Sequence, residues 1–366
     1  MACCTLPLVD CVHYSPRTRP WVHALTLGSV VWLLARLVVL GISLVAWCTE
    51  LSPGVTDRLG DPSADSVTGL PGLLGHWDTN YYFTIASQGY GADAEYGLAA
   101  FFPGYPYLSR WVAAVLPSQS TGLAMLVVAS ASSWWTAVVF SRLVALETGA
   151  GDELSYNELL PVVLLMAGPY SVFLYASYAE SLYLALAVTA WYLARRGRWW
   201  TCAALLSLAV LVRVNAVFLV AAVLVMQACR CGLSRWWRFS WVVLPAGFLL
   251  GWFAHLYSVT GDALAWSHAQ GHGWNRELNL PVMTIARTLG VAAVGSTPDR
   301  QLQFLLDFIF FLVVLSCCWA WWRRRDYAEL TYATLLVLSM GTSTTLVSFA
   351  RNSVTLFPTW VLAGDV

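Results

Sequence analysis

The sequence predicts an all-α integral membrane protein that crosses the bilayer about 9–10 times. Three observations predict it. Of its 366 residues, 58% are hydrophobic and only 11% charged, with a mean hydropathy of +0.64. Soluble chains carry about 25% charged residues, so this one lacks the polar surface to face water all round. The apolar residues fall in blocks of spanning length. Paired tryptophans (Trp199-Trp200, Trp236-Trp237, Trp321-Trp322) abut arginine clusters, as belts at a membrane–water interface do. The 20 basic residues, all arginine, balance 20 acids and form no basic patch, so nothing points to a nucleic-acid partner. The 9 cysteines show neither zinc spacing nor a disulfide framework and read as small, membrane-compatible side chains.

Residues 22–48 form the first span. Arg17 and Arg19 precede it, so the N-terminus is cytoplasmic, the next loop lies outside, and the run reads as a retained signal anchor. That loop, 49–100, carries Glu50, Asp57, Asp61, Asp65, Asp78, Asp93 and Glu95 against the single Arg58. Its first part is rich in Pro, Gly and Ser and reads as irregular. From Trp77 a short helix is expected, with Trp77, Tyr81, Ile85 and Gln88 on one side. It is too short to cross, so it is expected to lie on the bilayer with its rings at headgroup level. The proline-broken stretch to residue 117 makes a second interfacial piece.

Further spans are expected over about 121–146, 159–176 and up to Ala194. Residues 199–230 raise a question of parity. As one helix at 1.5 Å per residue the run would be about 48 Å long, beyond a core of about 30 Å. Two short crossings with Arg213 at an outer turn keep Arg230, Arg235, Arg238 and Arg323-Arg324-Arg325 all inside, so a hairpin is predicted. A span at about 240–258, a second outer loop at 259–302 with a re-entrant or interfacial piece at 281–295, and spans at about 303–322 and 328–347 complete the chain. A short final run follows Arg351 and Asn352. The whole is one transmembrane domain, with no internal repeat of the kind found in inverted-repeat transporters.

The candidate chemistry collects outside. Ionisable groups at or within spans cost roughly 2.5–3.5 kcal/mol at a helix centre, so they mark function. Asp78, Glu95 and Glu180 supply carboxylates; Arg213, Arg276 and Arg351 supply guanidinium groups suited to a phosphate. Trp77, Asn215, Gln270 and Trp274 are further substrate-contact candidates, Trp274 by stacking on a sugar ring. Each has a plainer reading. Asp78 also reads as a helix cap or solvated loop acid, Glu180 as an acid favoured by a helix dipole, and Arg213 as a snorkelling anchor. His268 and His272 stand at zinc spacing without a third ligand, so no metal site is assigned. An Asp of ordinary pKa near 4 is a weak base for an alcohol and would act late in the reaction, or with help from a divalent cation such as Mg or Mn.

These residues also form an ordered set. His76-Trp77-Asp78, Ile85-Ala86, Gly89-Tyr90, Glu95 and Phe101-Phe102-Pro103-Gly104-Tyr105-Pro106 resemble the first luminal loop of the PIG-V family of GPI-anchor mannosyltransferases. Tyr178-Ala179-Glu180-Ser181-Leu182-Tyr183 is similar to that family's Tyr-Ser-Glu-Ser/Ala-Leu-Phe, Arg213-Val214-Asn215 to its Arg-Ser-Asn, and Phe357-Pro358 to a late Phe-Pro element. Arg196-Gly197-Arg198 continues the likeness. Ala179 and Val214 depart from the usual Ser. The resemblance implies a GT-C glycosyltransferase bundle with interfacial helices in the first outer loop. It implies inverting transfer of mannose from polyprenyl- or dolichyl-phosphate mannose to a lipid-linked or glycan acceptor, with Asp78 as base. A transporter or flippase of lipid-linked sugars is the alternative, but it needs polar residues strung along the mid-membrane, and these spans read as dry there. The chain's length and the Gln270…Trp274…Arg276 loop look more like bacterial relatives, pointing to a bacterial cytoplasmic membrane, or to the endoplasmic reticulum in a eukaryote. The acceptor, and any partner subunit, stay open.

Overall fold

The structure, a computed structural model, describes residues 21–49, 74, 75, 78–91, 97–149 and 156–364. His76, Trp77, Asp93 and Glu95 lie outside the described residues. The protein is an all-α, multi-span membrane protein, with no strand among the described residues. Among the described residues four helices are long and apolar enough to cross a bilayer: Trp21–Ala46, Thr121–Glu147, Trp236–Thr260 and Pro298–Arg324. Shorter apolar helices fill in around them, including Tyr156–Ala167, Trp199–Val210, Ala216–Cys231 and Pro281–Val294.

Helix α1 (Trp21–Cys48) packs on α4 (Thr121–Glu147) through small residues and two crossed Trp–Ser bonds. Trp32 Nε1 donates to Ser133 Oγ (2.9 Å) and Trp134 Nε1 to Ser29 Oγ (2.9 Å). Without water in the bilayer core such pairs must be made within the protein. At Gly28 the backbones touch: a Cβ there would lie 2.7 Å from Val138 Cα. Most of the outward face of α1 is apolar and exposed, as a lipid-facing helix requires.

Between them comes α2 (Thr79–Gln88), which differs from the surface helix predicted for it. Its buried stripe is Thr79, Tyr82, Ile85 and Ala86, while Gln88 is exposed. The aromatic density of the segment is the reason. Tyr82 is enclosed edge-on by Phe101, Tyr105 and Tyr178, so the helix is wedged inside the bundle rather than laid on lipid. Helix α3 (Gly104–Val115) follows a 3₁₀ turn at Leu98–Ala100.

Helix α5 (Tyr156–Ala167) stops before Gly168-Pro169, where proline cannot continue the ladder, and a 3₁₀ turn (Ser171–Leu174) leads into α6 (Ala179–Arg195). Residues 199–230 form two helices, α7 (Trp199–Val210) and α8 (Ala216–Cys231), with Arg213 in the break. Arg230 Nη1 donates to the carbonyls of Ala194 (3.1 Å) and Arg195 (2.9 Å), so the second limb returns to where the first began. Beyond lie α9 (Val243–Thr260), α10 (Ala265–Trp274), α11 (Pro281–Val294), α12 (Pro298–Arg324), α13 (Tyr327–Gly341) and two short helices, α14 (Phe349–Ser353) and α15 (Pro358–Gly364).

At one end of the bundle Arg195 joins Glu147 (2.7 Å) and Glu329, tying the ends of α4, α6 and α13. Toward the other end the start of α2 and the breaks after α5, α7 and α13 converge. The spans are not dry, contrary to expectation. Arg36 lies near the middle of α1 and Asp307 within α12. Each is satisfied by backbone, Arg36 by donating to Tyr175 O (2.6 Å) and Asp307 by accepting two amides. Replacing Gly28 with valine is expected to separate α1 from α4, since the backbone it meets cannot yield, costing about 1–3 kcal/mol. Thermal unfolding in detergent should show the midpoint lowered by several degrees.

Candidate functional site

The converging breaks enclose a cavity of about 810 Å³. Its walls come from the whole length of the chain: Asp78 and Tyr82 from α2, Phe101 and Phe102 from the loop after it, Arg213 and Asn215 from the α7–α8 break. Gln270, Trp274 and Arg276 come from α10 and its end, Asp307 from α12, and Arg351 and Asn352 from α14.

Asp78 stands at the N-cap position of α2, yet its side chain makes no capping bond. The carboxylate turns instead to Arg351, whose Nη1 donates to Asp78 Oδ2 (2.6 Å). The Asp78 backbone N–H donates to Tyr178 Oη (3.2 Å), and Thr79 Oγ1 to Ser177 O (3.4 Å). The segment before α6 therefore fixes where Asp78 sits. Oδ1 of Asp78 makes no hydrogen bond among the described residues. The cap reading fails because the guanidinium offers a stronger, charge-assisted partner.

Glu180 is in the first turn of α6 and wholly buried. Its Oε1 lies between Arg351 Nε, which donates to it, and Arg213 Nη1 at 2.6 Å. It is not on the cavity wall. Expected to contact substrate, it instead stands behind the two arginines and holds them, because a fully buried carboxylate must be matched by charge. Arg213 also donates from Nη2 to Asn352 Oδ1 (2.9 Å), and Asn215 Nδ2 donates to the same oxygen (3.2 Å). A snorkelling reading of Arg213 is thus replaced by a network of inward partners. The Arg351 guanidinium lies over the rings of Tyr178 (4.5 Å) and Phe173 (4.7 Å), which supports a cation without neutralising it.

The turn carrying Arg213 is placed by Gly104. Gly104 N–H donates to Leu211 O (2.7 Å), and a Cβ there would stand 2.7 Å from Val212 Cγ2 and 2.9 Å from Leu211 O. The Phe-Phe-Pro-Gly run thus does more than pack: its glycine lets α3 abut the break between α7 and α8.

Also on the wall, Trp274 meets Tyr81 and Phe101, and Gln270 Nε2 donates to Ala100 O (3.4 Å). Arg276 has no side-chain hydrogen bond or ion pair among the described residues. Burial, reinforced by the nearby Arg213 and Arg351 charges, pulls its guanidinium down to about 10. A cation so disfavoured gains by receiving an anion. His268 pairs through Nδ1 with Asp262 Oδ2 (2.7 Å) rather than with His272. Among the described residues no three His, Cys, Asp or Glu side chains cluster to hold a metal ion.

The cavity brings together Asp78, Arg213, Asn215, Gln270, Trp274 and Arg276 as the sequence proposed. Trp77 and Glu95 lie outside the described residues. Tyr82, Asp307 and Asn352 were not singled out. Arg351, expected among the guanidinium groups suited to a phosphate, lies on the cavity wall and is paired with Asp78 and Glu180, partners that nothing local in Phe349–Ser353 announces.

The chain is similar in sequence to known proteins. The human GPI alpha-1,6-mannosyltransferase 2 (Homo sapiens) is 31% identical over 156 residues, covering 41% of this chain and 31% of the human one. The Cricetulus griseus protein of the same name is 32% identical over 172 residues, 45% of this chain and 33% of its own. The Mus musculus one is 31% identical over 167 residues, 42% and 32% respectively. The chain spans about a third of the length of these curated relatives. No solved structure matches. The profile described as "Mannosyltransferase (PIG-V)" matches residues 24–234, which hold α1 through α8 and with them Asp78, Glu180, Arg213 and Asn215, and on that match the chain belongs to the PIG-V mannosyltransferase family.

Proposed function

We propose that this protein is a membrane mannosyltransferase that transfers mannose from a polyprenyl- or dolichyl-phosphate donor to a hydroxyl of a glycolipid or glycan at the outer or luminal face. The observation that carries this reading is the Asp78 carboxylate, paired with Arg351 and facing a cavity that Arg213 and Arg276 also line, in a chain of this family.

In this reading the acceptor oxygen attacks C1 of mannose from the side opposite the phosphate. The C1–O bond to phosphate breaks, the lipid phosphate leaves with the electron pair, and the acceptor proton passes to Asp78 Oδ1. Arg351 on Oδ2 fixes the carboxylate so that its other oxygen faces the acceptor. Proton transfer comes late, as the sugar carbon draws the acceptor oxygen in and the hydroxyl becomes acidic. The relatives' name specifies an alpha-1,6 product. Inversion to an α product requires a β-linked phosphosugar, which places phosphate and acceptor on opposite faces of the ring. Arg276, which forms no ion pair among the described residues, suits the phosphate, with the outer edge of Arg213 beside it. Trp274 and Phe101 offer a ring wall for the sugar. A GPI-type glycolipid acceptor is supported by the relatives' names alone.

Membranes containing the protein, given radiolabelled polyprenyl-phosphate mannose and a glycolipid acceptor, should yield a mannosylated product; transport of intact donor without transfer would instead make it a flippase. In that assay Asp78→Asn should lose at least about 10²-fold in turnover, the usual share of a general base, with donor binding kept within a few-fold. Arg276→Gln should raise the donor KM about tenfold while leaving kcat within a few-fold, as loss of a charge-assisted phosphate contact does. Because guanidinium groups supply the positive charge here, turnover should survive a chelator in excess; its loss, restored by added Mg or Mn, would put a cation at the phosphate.

A further inference from the structure

The Arg351–Asn352 pair reaches the site from α14, a helix of 5 residues. So short a helix cannot hold itself: it lacks the length to form alone and fixes few of its own backbone bonds. Its start is also strained. Ser348, which precedes it, is in the left-handed region at φ 66°, a conformation that suits glycine. Something outside α14 must hold it there.

We propose that Asp307 is a positioning residue: its buried carboxylate, lent by α12, grips the first turn of α14 and so sets Arg351 and Asn352 against Asp78, Glu180 and Arg213. The inference rests on the reading of the cavity above and concerns its assembly. Asp307 is 1% exposed. Its Oδ2 accepts the N–H of Ser348 (3.0 Å) and its Oδ1 the N–H of Ala350 (2.8 Å). Both oxygens are thus spent on the backbone of one turn, and Asp307 forms no ion pair among the described residues. A buried carboxylate is expensive without donors, and the open N–H groups of a helix start are the donors that need it most. The exchange satisfies both and holds the left-handed residue in place.

The consequence runs outward from α14. Arg351 donates to Glu180 and Asp78, and Asn352 Oδ1 accepts from Arg213 and Asn215. One turn of helix therefore links four residues of the segment that matches the family, while Asp307, Arg351 and Asn352 all lie beyond residue 234. Asp307 touches none of the reacting groups in this scheme; it acts through the two it presents.

The test uses the full chain in detergent or nanodiscs, with two readouts. In hydrogen exchange, Asp307→Asn should speed exchange of the Ser348 and Ala350 amides at least tenfold, with the first turn of α6 little changed, whereas Arg351→Lys should leave those two amides protected. In turnover, D307N and R351K should each lower kcat about tenfold, and the double variant should be no worse than the poorer single one. A general loss of stability would instead multiply the two. Ser348→Gly, which removes the left-handed strain, should restore several-fold of the kcat lost in D307N. If D307N does not accumulate, Asp307→Glu, which keeps the charge but not the reach, is measured in its place with the same expectations and a smaller loss. Unchanged exchange at Ser348 and Ala350, or multiplicative losses in the double variant, would overturn the proposal. If the wild-type protein transfers no mannose, the proposed function falls while the exchange measurement still judges the role of Asp307.

Discussion

The site depends on charge pairing in a place where water cannot help. Glu180 is fully buried, and an isolated carboxylate there would be driven out or neutralised, so it must be met by cations. Two arginines meet it, from a helix break more than thirty positions away and from a turn near the C-terminus. Each arginine then has donors left over, and those reach Asp78 and Asn352. Removing one member of such a network leaves an unmatched buried charge, a loss of about 3–5 kcal/mol. The network therefore positions as well as stabilises, and the carboxylate at its rim inherits a fixed orientation.

Around this network the fold spends its regular structure on approach and its irregular structure on chemistry. The long helices face lipid or one another through apolar and small side chains, and the residues lining the cavity sit mostly where helices stop: after Gly168-Pro169, between Val210 and Ala216, after Trp274, and before Phe349. Broken backbone at membrane depth is tolerable only where it lines a cavity or is covered by protein. The breaks and the cavity are the same feature. Aromatic rings supply the cover, as with Tyr82 under Phe101, Tyr105 and Tyr178, and this is why α2 is drawn into the bundle despite its amphipathic spacing.

The segment that matches the family holds Asp78, Tyr82, Phe101, Phe102, Arg213 and Asn215 of the cavity wall, and Gln270, Trp274, Arg276, Asp307, Arg351 and Asn352 come from beyond it. The division has a physical logic. The first half carries Asp78, Glu180 and Arg213, while the second half adds the wall of Trp274 and Gln270, Arg276, which forms no ion pair among the described residues, and the turn that brings Arg351 to both carboxylates. Asp262 and His268, close in sequence to that wall, are engaged with each other instead. Burial plays little part there, and backbone N–H donation from Leu264, with His268 beside it, holds the Asp262 carboxyl below the usual range.

Hydropathy, a local sum over consecutive side chains, was enough to read the membrane class, and the placement of the arginines predicted the split of residues 199–230 into α7 and α8. Arginine placement was enough to group the loops that meet at the cavity. What the sequence could not express is who partners whom. Asp78 and Arg351 are 273 positions apart, and Arg213 and Asn352 are 139 apart. In a low-dielectric interior a charge takes whichever counter-charge the packing brings within reach, so the buried face of α2, the retreat of Glu180 behind the cavity wall and the grip of Asp307 on α14 were decided by the tertiary structure alone.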